Sequence, residues 1–157
     1  MSTRPCDVVL DEHVGTAFGG TATLVGNTID TNAQECTWTV AGPQLNGTVY
    51  ITVRYPDPAS QNARAADALA LMQYSHDFII ETYPDMAPFI EEVAGVGEYA
   101  YLNTRTRTIE VAVSPELALS VQFVTSATGD FGTPISDAVR AALAAAALAV
   151  APDLLGA

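Results

Sequence analysis

Glu35-Cys36-Thr37-Trp38-Thr39-Val40-Ala41, then Gly42-Pro43-Gln44-Leu45-Asn46-Gly47, then Thr48-Val49-Tyr50-Ile51-Thr52-Val53-Arg54-Tyr55, is the stretch whose reading decides the fold. In the first run Cys36, Trp38 and Val40 fall on one face and Thr37 and Thr39 on the other, the two-residue period of a half-buried strand. The second run alternates in the same way, with Val49, Ile51, Val53 and Tyr55 inward. The Gly- and Pro-containing hexapeptide between them predicts a hairpin. Thr21 to Ile29, just upstream, reads as a third and weaker strand.

Working outward, residues 6 to 20 predict a short helix on which Leu10, Val14, Ala17 and Phe18 follow the helical period. Gly19-Gly20 is its stop, and Asp11, in preference to Asp7, its N-cap. Downstream, Asp57-Pro58 predicts the start of a long helix, with Asp57 as cap and Pro58 at the first helical position. Ala65, Leu69, Met72, His76, Ile79/Ile80 and Tyr83 form its inner stripe, and Pro84 and Pro88 end it. Four more strands follow, over 90–93, 99–103, 107–113 and 117–125, the last two joined through Ser114-Pro115-Glu116. Thr133-Pro134 repeats the cap-plus-proline device ahead of a last helix carrying Ile135, Val139, Leu143, Ala146 and Val150 on its main apolar face. Grouped antiparallel strands with helices between the groups make the chain α+β. The expectation is one twisted, mainly antiparallel sheet of about six to seven strands, in the order α-βββ-α-ββββ-α. Residues 1–157 form a single domain, with 1–5 a flexible or introduced N-terminus.

Composition restricts function more than it assigns one. The chain holds 18 acids against 6 arginines and no lysine, a formal charge of −12. That balance disfavours nucleic acid and anionic lipid as partners. Without lysine there is no Schiff-base nucleophile and no P-loop lysine. Apolar content of 49% with 15% charged residues belongs to a core-forming globular protein. No apolar run reaches the roughly 20 residues of a membrane span, and the N-terminus has no signal-peptide core.

Two cysteines, Cys6 and Cys36, are the whole thiol content. An even pair, one ahead of the first helix and one on the core face of a strand, reads as one disulfide and so as an oxidising compartment. Two free thiols in a cytosolic protein are the alternative reading. A zinc site lacks histidines at ligand spacing, and a nucleophilic cysteine would need a basic neighbourhood that this acidic chain does not offer.

Pro5-Cys6 with Leu10 before a short helix, Cys36-x-Trp38 on a strand, and Val93-x-Gly95-Val96-Gly97-Glu98-x-Ala100-Tyr101 ahead of a hairpin and an Ala-rich helix resemble a family. It is the actinobacterial, mycobacterial-type envelope lipoproteins classed as a domain of unknown function, similar to LpqN-type, PsbP-like domains. The resemblance implies an extracytoplasmic protein of the cell envelope, lipid-anchored or secreted in its full-length form. Family members carry an export signal and a lipobox cysteine upstream of the position of Cys6. This chain shows neither, so any contact with a membrane would run through an N-terminal anchor that it lacks. It also departs from the pattern over residues 74 to 90, where the helix and Pro-rich turn look extended. The family supplies no catalytic residues to carry over.

The residues themselves offer few chemical sites. Gly95-Val96-Gly97-Glu98 lacks the helix start and lysine of a phosphate loop and reads as a turn or bulge. His76 lies on the inner stripe as a core or partly buried histidine. Its neighbour Asp77 is adjacent on the helix and is expected not to face it. His13 reads as a surface residue. Glu91-Glu92 on a strand point to opposite faces. An enzyme would need Glu91, Glu98 or Asp130 to converge with His76. Asp30-Thr31-Asn32 lacks the remaining ligands of a calcium loop. The surplus is apolar: Leu71, Tyr74 and Phe78 make a second set on the long helix, and the last helix is apolar all round from Ala141 to Ala151. The expectation is a non-catalytic domain with no metal and no cofactor. Through Leu71, Tyr74 and Phe78 it would bind an envelope protein or an apolar small molecule or lipid. A purely protein-binding or sensor-like accessory module is the alternative.

Overall fold

The computed structural model describes residues 5–29, 33–57, 66–125 and 134–156. Two short helices, α1 (Pro5–Val8) and α2 (Asp11–Ala17), lead into β1 (Thr21–Ile29), β2 (Ala33–Ala41) and β3 (Asn46–Arg54). Helix α3 (Ala68–Thr82) and a 3-10 turn over Pro84–Phe89 precede β4 (Ile90–Glu92), β5 (Tyr99–Asn103), β6 (Thr108–Ser114) and β7 (Leu117–Val124). Helix α4 (Asp137–Leu155) closes the chain.

All seven strands join one sheet in the order β1-β2-β3-β7-β6-β5-β4, every pair antiparallel. The two strand groups are therefore two meanders fused at β3–β7. The chain leaves β3, crosses by way of α3 to the far edge, and works back inward. The hairpin of β2 and β3 sets Cys36 opposite Ile51 and Trp38 opposite Val49, as the alternation predicts.

The period-two pattern assigns the two faces. Cys36, Trp38, Val49, Ile51, Leu119, Val121, Phe123, Ile109 and Val111 are buried on the face that carries α1, α2 and α4. The opposite face carries Tyr101, Ala112 and Ala118, covered by α3 through Ala68 and Met72. Phe18 at the end of α2 stacks on Phe123 of β7 at 5.2 Å between centroids. From α4, Val139, Leu143, Ala146 and Val150 enter the same core, as the spacing predicts. Each fully buried Val, Leu or Phe contributes about 1.5–3 kcal/mol.

Cys6 and Cys36 are bonded as a disulfide that ties α1 to β2 across 30 residues. Three start signals are corrected. The single first helix is two, because Leu10 adopts extended backbone and stands 46% exposed between them. Asp11 caps nothing: its carboxylate instead accepts the indole N–H of buried Trp38 at 2.8 Å. Helix α3 starts at Ala68 under an Asp67 cap, whose Oδ1 accepts from the Ala70 N–H at 2.7 Å. Pro58 and Ala65 lie outside the described residues. Helix α4 starts after Ser136, whose hydroxyl accepts from the Val139 N–H, and Thr133 lies outside the described residues. Tyr83, assigned to the inner stripe of α3, is 57% exposed because the helix stops at Thr82 and the chain turns at Pro84. Among the described residues α4 is the one helix long and apolar enough to cross a membrane; here its apolar face belongs to the core.

Candidate functional site

Helix α3 presents two unlike faces. Ala68 and Met72 are buried, and Leu69, Leu71 and Ile79 pack beside them against the sheet. Tyr74, Asp77, Phe78 and Glu81, spaced i, i+3, i+4 and i+7, form one exposed stripe. The Tyr74 and Phe78 rings lie 5.8 Å apart, and Tyr83 meets Phe78 edge-on at 6.4 Å. Thus of the three residues that the sequence grouped, Tyr74 and Phe78 come together, joined by Tyr83. Leu71 turns toward the sheet cluster instead.

Beneath the stripe, His76 sits edge-on to Tyr101 at 5.5 Å and Tyr99 at 6.2 Å, a partly buried histidine as expected. Its Nδ1 lies 3.0 Å from Asp77 Oδ1, a contact that the expectation for adjacent helical residues denied. The Tyr101 hydroxyl donates to Ser75 Oγ at 3.0 Å. Burial pushes the Tyr101 phenol up to about 12, the Ser75 bond pulling the other way. The Tyr99 phenol is likewise pushed up to about 12 by burial and by the Glu92 and Asp77 carboxylates. The native state keeps these protons after an unfolded chain would lose them, so both groups withdraw stability as pH rises from about 10 to 12. This junction packs α3 against β5.

Of the acids considered with His76, Glu91 stands apart from it. Glu91 pairs with Arg140 of α4, on the opposite face of the sheet from α3. Glu98 is held in the loop before β5, its N–H donating to the Ala112 carbonyl. Asp130 and the Asp30-Thr31-Asn32 segment lie outside the described residues. Gly95 and Gly97 have φ of +80° and +60°, the turn geometry that the sequence required. Among the described residues, no group of three or more His, Cys, Asp or Glu is placed to hold a metal.

One site escaped the sequence reading. A cleft of about 360 Å³ opens between α2 and α4, lined by Glu12, His13, Thr16, Ala17, Ala145 and Ala149. His13 is no free surface residue: its Nδ1 lies 2.7 Å from Asp153 Oδ2, which also accepts from the Leu10 N–H at 3.3 Å. The partners are 140 residues apart, so no local signal could have joined them. Its lining is apolar at Ala17, Ala145 and Ala149 and polar at Glu12, His13 and Thr16.

No protein-family model, curated protein or solved structure matches this chain. The α3 stripe offers exposed aromatic rings beside carboxylates, and the α2–α4 cleft offers a small apolar pocket with a polar edge.

Proposed function

We propose that this chain is a non-catalytic, cell-envelope domain of the lipoprotein type, which binds a partner protein through the outer stripe of α3. In its full-length form it is lipid-anchored or secreted. The disulfide fits an extracytoplasmic location, and the resemblance of the Cys6, Cys36-x-Trp38 and Gly95-Val96-Gly97 segments supports the envelope. One observation carries the binding reading: Tyr74, Phe78 and Tyr83 touch ring to ring while remaining 38%, 43% and 57% exposed. Large rings grouped in water are a feature of docking surfaces.

The test is a photo-crosslinking residue in place of Gln73, also exposed on α3, in cells of the native host. An envelope protein should crosslink to this chain and be lost in Tyr74→Ser/Phe78→Ser, with a melting temperature within about 2 °C of the parent. Crosslinks that survive the double substitution would remove the stripe from the interface. The α2–α4 cleft favours a second reading, in which the ligand is an apolar envelope molecule. Native mass spectrometry of protein from its host would then show an added mass, lost on Ala145→Trp. A bare protein mass sinks that version.

A further inference from the structure

Residues 65 to 104 contain neither Arg nor Lys, yet carry Asp67, Asp77, Glu81, Asp85, Glu91, Glu92 and Glu98. The aromatic stripe lies within this span, and two of those acids are built into it. Along α3 the exposed order is Tyr74, Asp77, Phe78, Glu81, aromatic and acid in alternation at helical spacing. Tyr83 and Asp85 continue the same alternation into the turn, both exposed. An apolar partner surface would gain from the rings but would have to desolvate the carboxylates between them. An anionic partner would meet repulsion along the whole stripe. A cationic side chain satisfies both groups at once, resting on a ring face while its charge meets a carboxylate. The protein uses half of this pairing within itself: the Arg105 guanidinium lies 5.7 Å from the Phe89 ring centre, just past the turn.

We infer that the occupant of the α3 stripe is a cationic amphipathic segment of the partner protein. Its Arg or Lys side chains lie over the Phe78 and Tyr83 rings and pair with Asp77 and Glu81. The inference rests on the reading of the stripe as a docking surface and adds the chemical class of what docks. Helical repeat matches helical repeat, since basic residues three and four apart on the partner reach successive carboxylates.

The experiment uses the whole chain, labelled for NMR, and two synthetic probes. One is an 18-residue amphipathic helix of Leu and Arg; the other is the same helix with Gln at every Arg. Titration with the Arg peptide should shift the amides of residues 74–85 first and most. Asp77→Asn/Glu81→Gln should weaken that binding about five- to tenfold, as expected for two partly screened ion pairs. Asp7→Asn, an exposed acid of α1 on the other face of the sheet from α3, should leave it within twofold. Raising salt from 50 to 300 mM should weaken it further. Equal binding of the Gln peptide at the stripe, insensitive to Asp77→Asn/Glu81→Gln, would overturn the cationic assignment and leave the docking surface standing. Shifts scattered over acids elsewhere, or binding unaffected by Tyr74→Ser/Phe78→Ser, would overturn both.

Discussion

Reducing the Cys6–Cys36 disulfide should cost this domain about a quarter to nearly three quarters of an ordinary stability. The bond closes a loop across 30 residues. Chain-entropy arithmetic for a loop of that length gives about 12 cal/mol/K, or about 3.6 kcal/mol at 25 °C. Typical domains hold about 5–15 kcal/mol in total. For 157 residues, unfolding entropy near 60 °C is about 0.33 kcal/mol per kelvin, so the melting point should fall by about 11 °C. In urea, with a slope of about 2 kcal/mol per molar, the midpoint should fall by about 1.8 M. The slope itself should rise, because the freed unfolded chain exposes more surface. Cys36 is fully buried while Cys6 is only partly buried, so the reductant enters from the α1 side and the core around Trp38 need not open. Cys6→Ala separates crosslink from packing: it breaks the bond while leaving the Cys36 thiol in its place beside the core. Urea unfolding followed by Trp38 fluorescence, on oxidised, reduced and Cys6→Ala protein, is the assay. A midpoint loss under about 0.4 M with an unchanged slope would refute the reasoning, because the tie would then constrain little of the unfolded ensemble.

Asp11→Ala leaves the buried Trp38 N–H without its acceptor and should cost about 1–3 kcal/mol, while Asp11→Asn keeps an acceptor and should cost less. Thermal melts and the indole proton resonance check both. Gly97→Ala should be far worse than Gly95→Ala, although both positions have positive φ. A Cβ at Gly97 would lie 2.5 Å from the Ala112 carbonyl oxygen, whereas one at Gly95 meets nothing within 4 Å. We expect a loss of about 3 kcal/mol or more against about 1–2 kcal/mol, read by urea unfolding. Burial raises the Glu110 carboxyl above its ordinary value, against the opposing pull of Arg54 and the Ser120 hydrogen bond. The native state thus holds that proton to higher pH than the unfolded chain, and stability is withdrawn as pH rises through the unfolded value near 4.3 to the raised native one. Glu110→Gln should therefore melt higher than the parent at pH 7, with the two converging below about pH 4.

The central strands were legible because each carries its own period. Cys36-Thr37-Trp38-Thr39-Val40 alternates whatever it pairs with, and β1 and β5 occupy the spans that their patterns predict. The second apolar set on α3 was legible for the same reason, since Tyr74 and Phe78 lie outside the stripe that the core consumes. Helix starts were less legible. Asp57, Asp67, Thr133 and Ser136 are all competent caps, and only packing selects which backbone N–H groups need one. Tyr83 shows the converse error: its spacing suits the inner stripe, but the helix ends one residue earlier and the side chain swings outward.

By itself the sequence determined the α+β class, the two groups of antiparallel strands and the single pair of cysteines open to bonding. These depend on local period, composition and the presence of just two cysteines. Only the tertiary structure decided that the meanders fuse at β3–β7, that Asp11 serves Trp38, and that His13 meets Asp153. It also decided that Tyr83 completes the aromatic stripe while Leu71 leaves it. Each of these is a contact between residues whose local patterns are compatible with several partners. The choice among them is made by which apolar faces must be buried together, a property of the whole chain that no single segment carries.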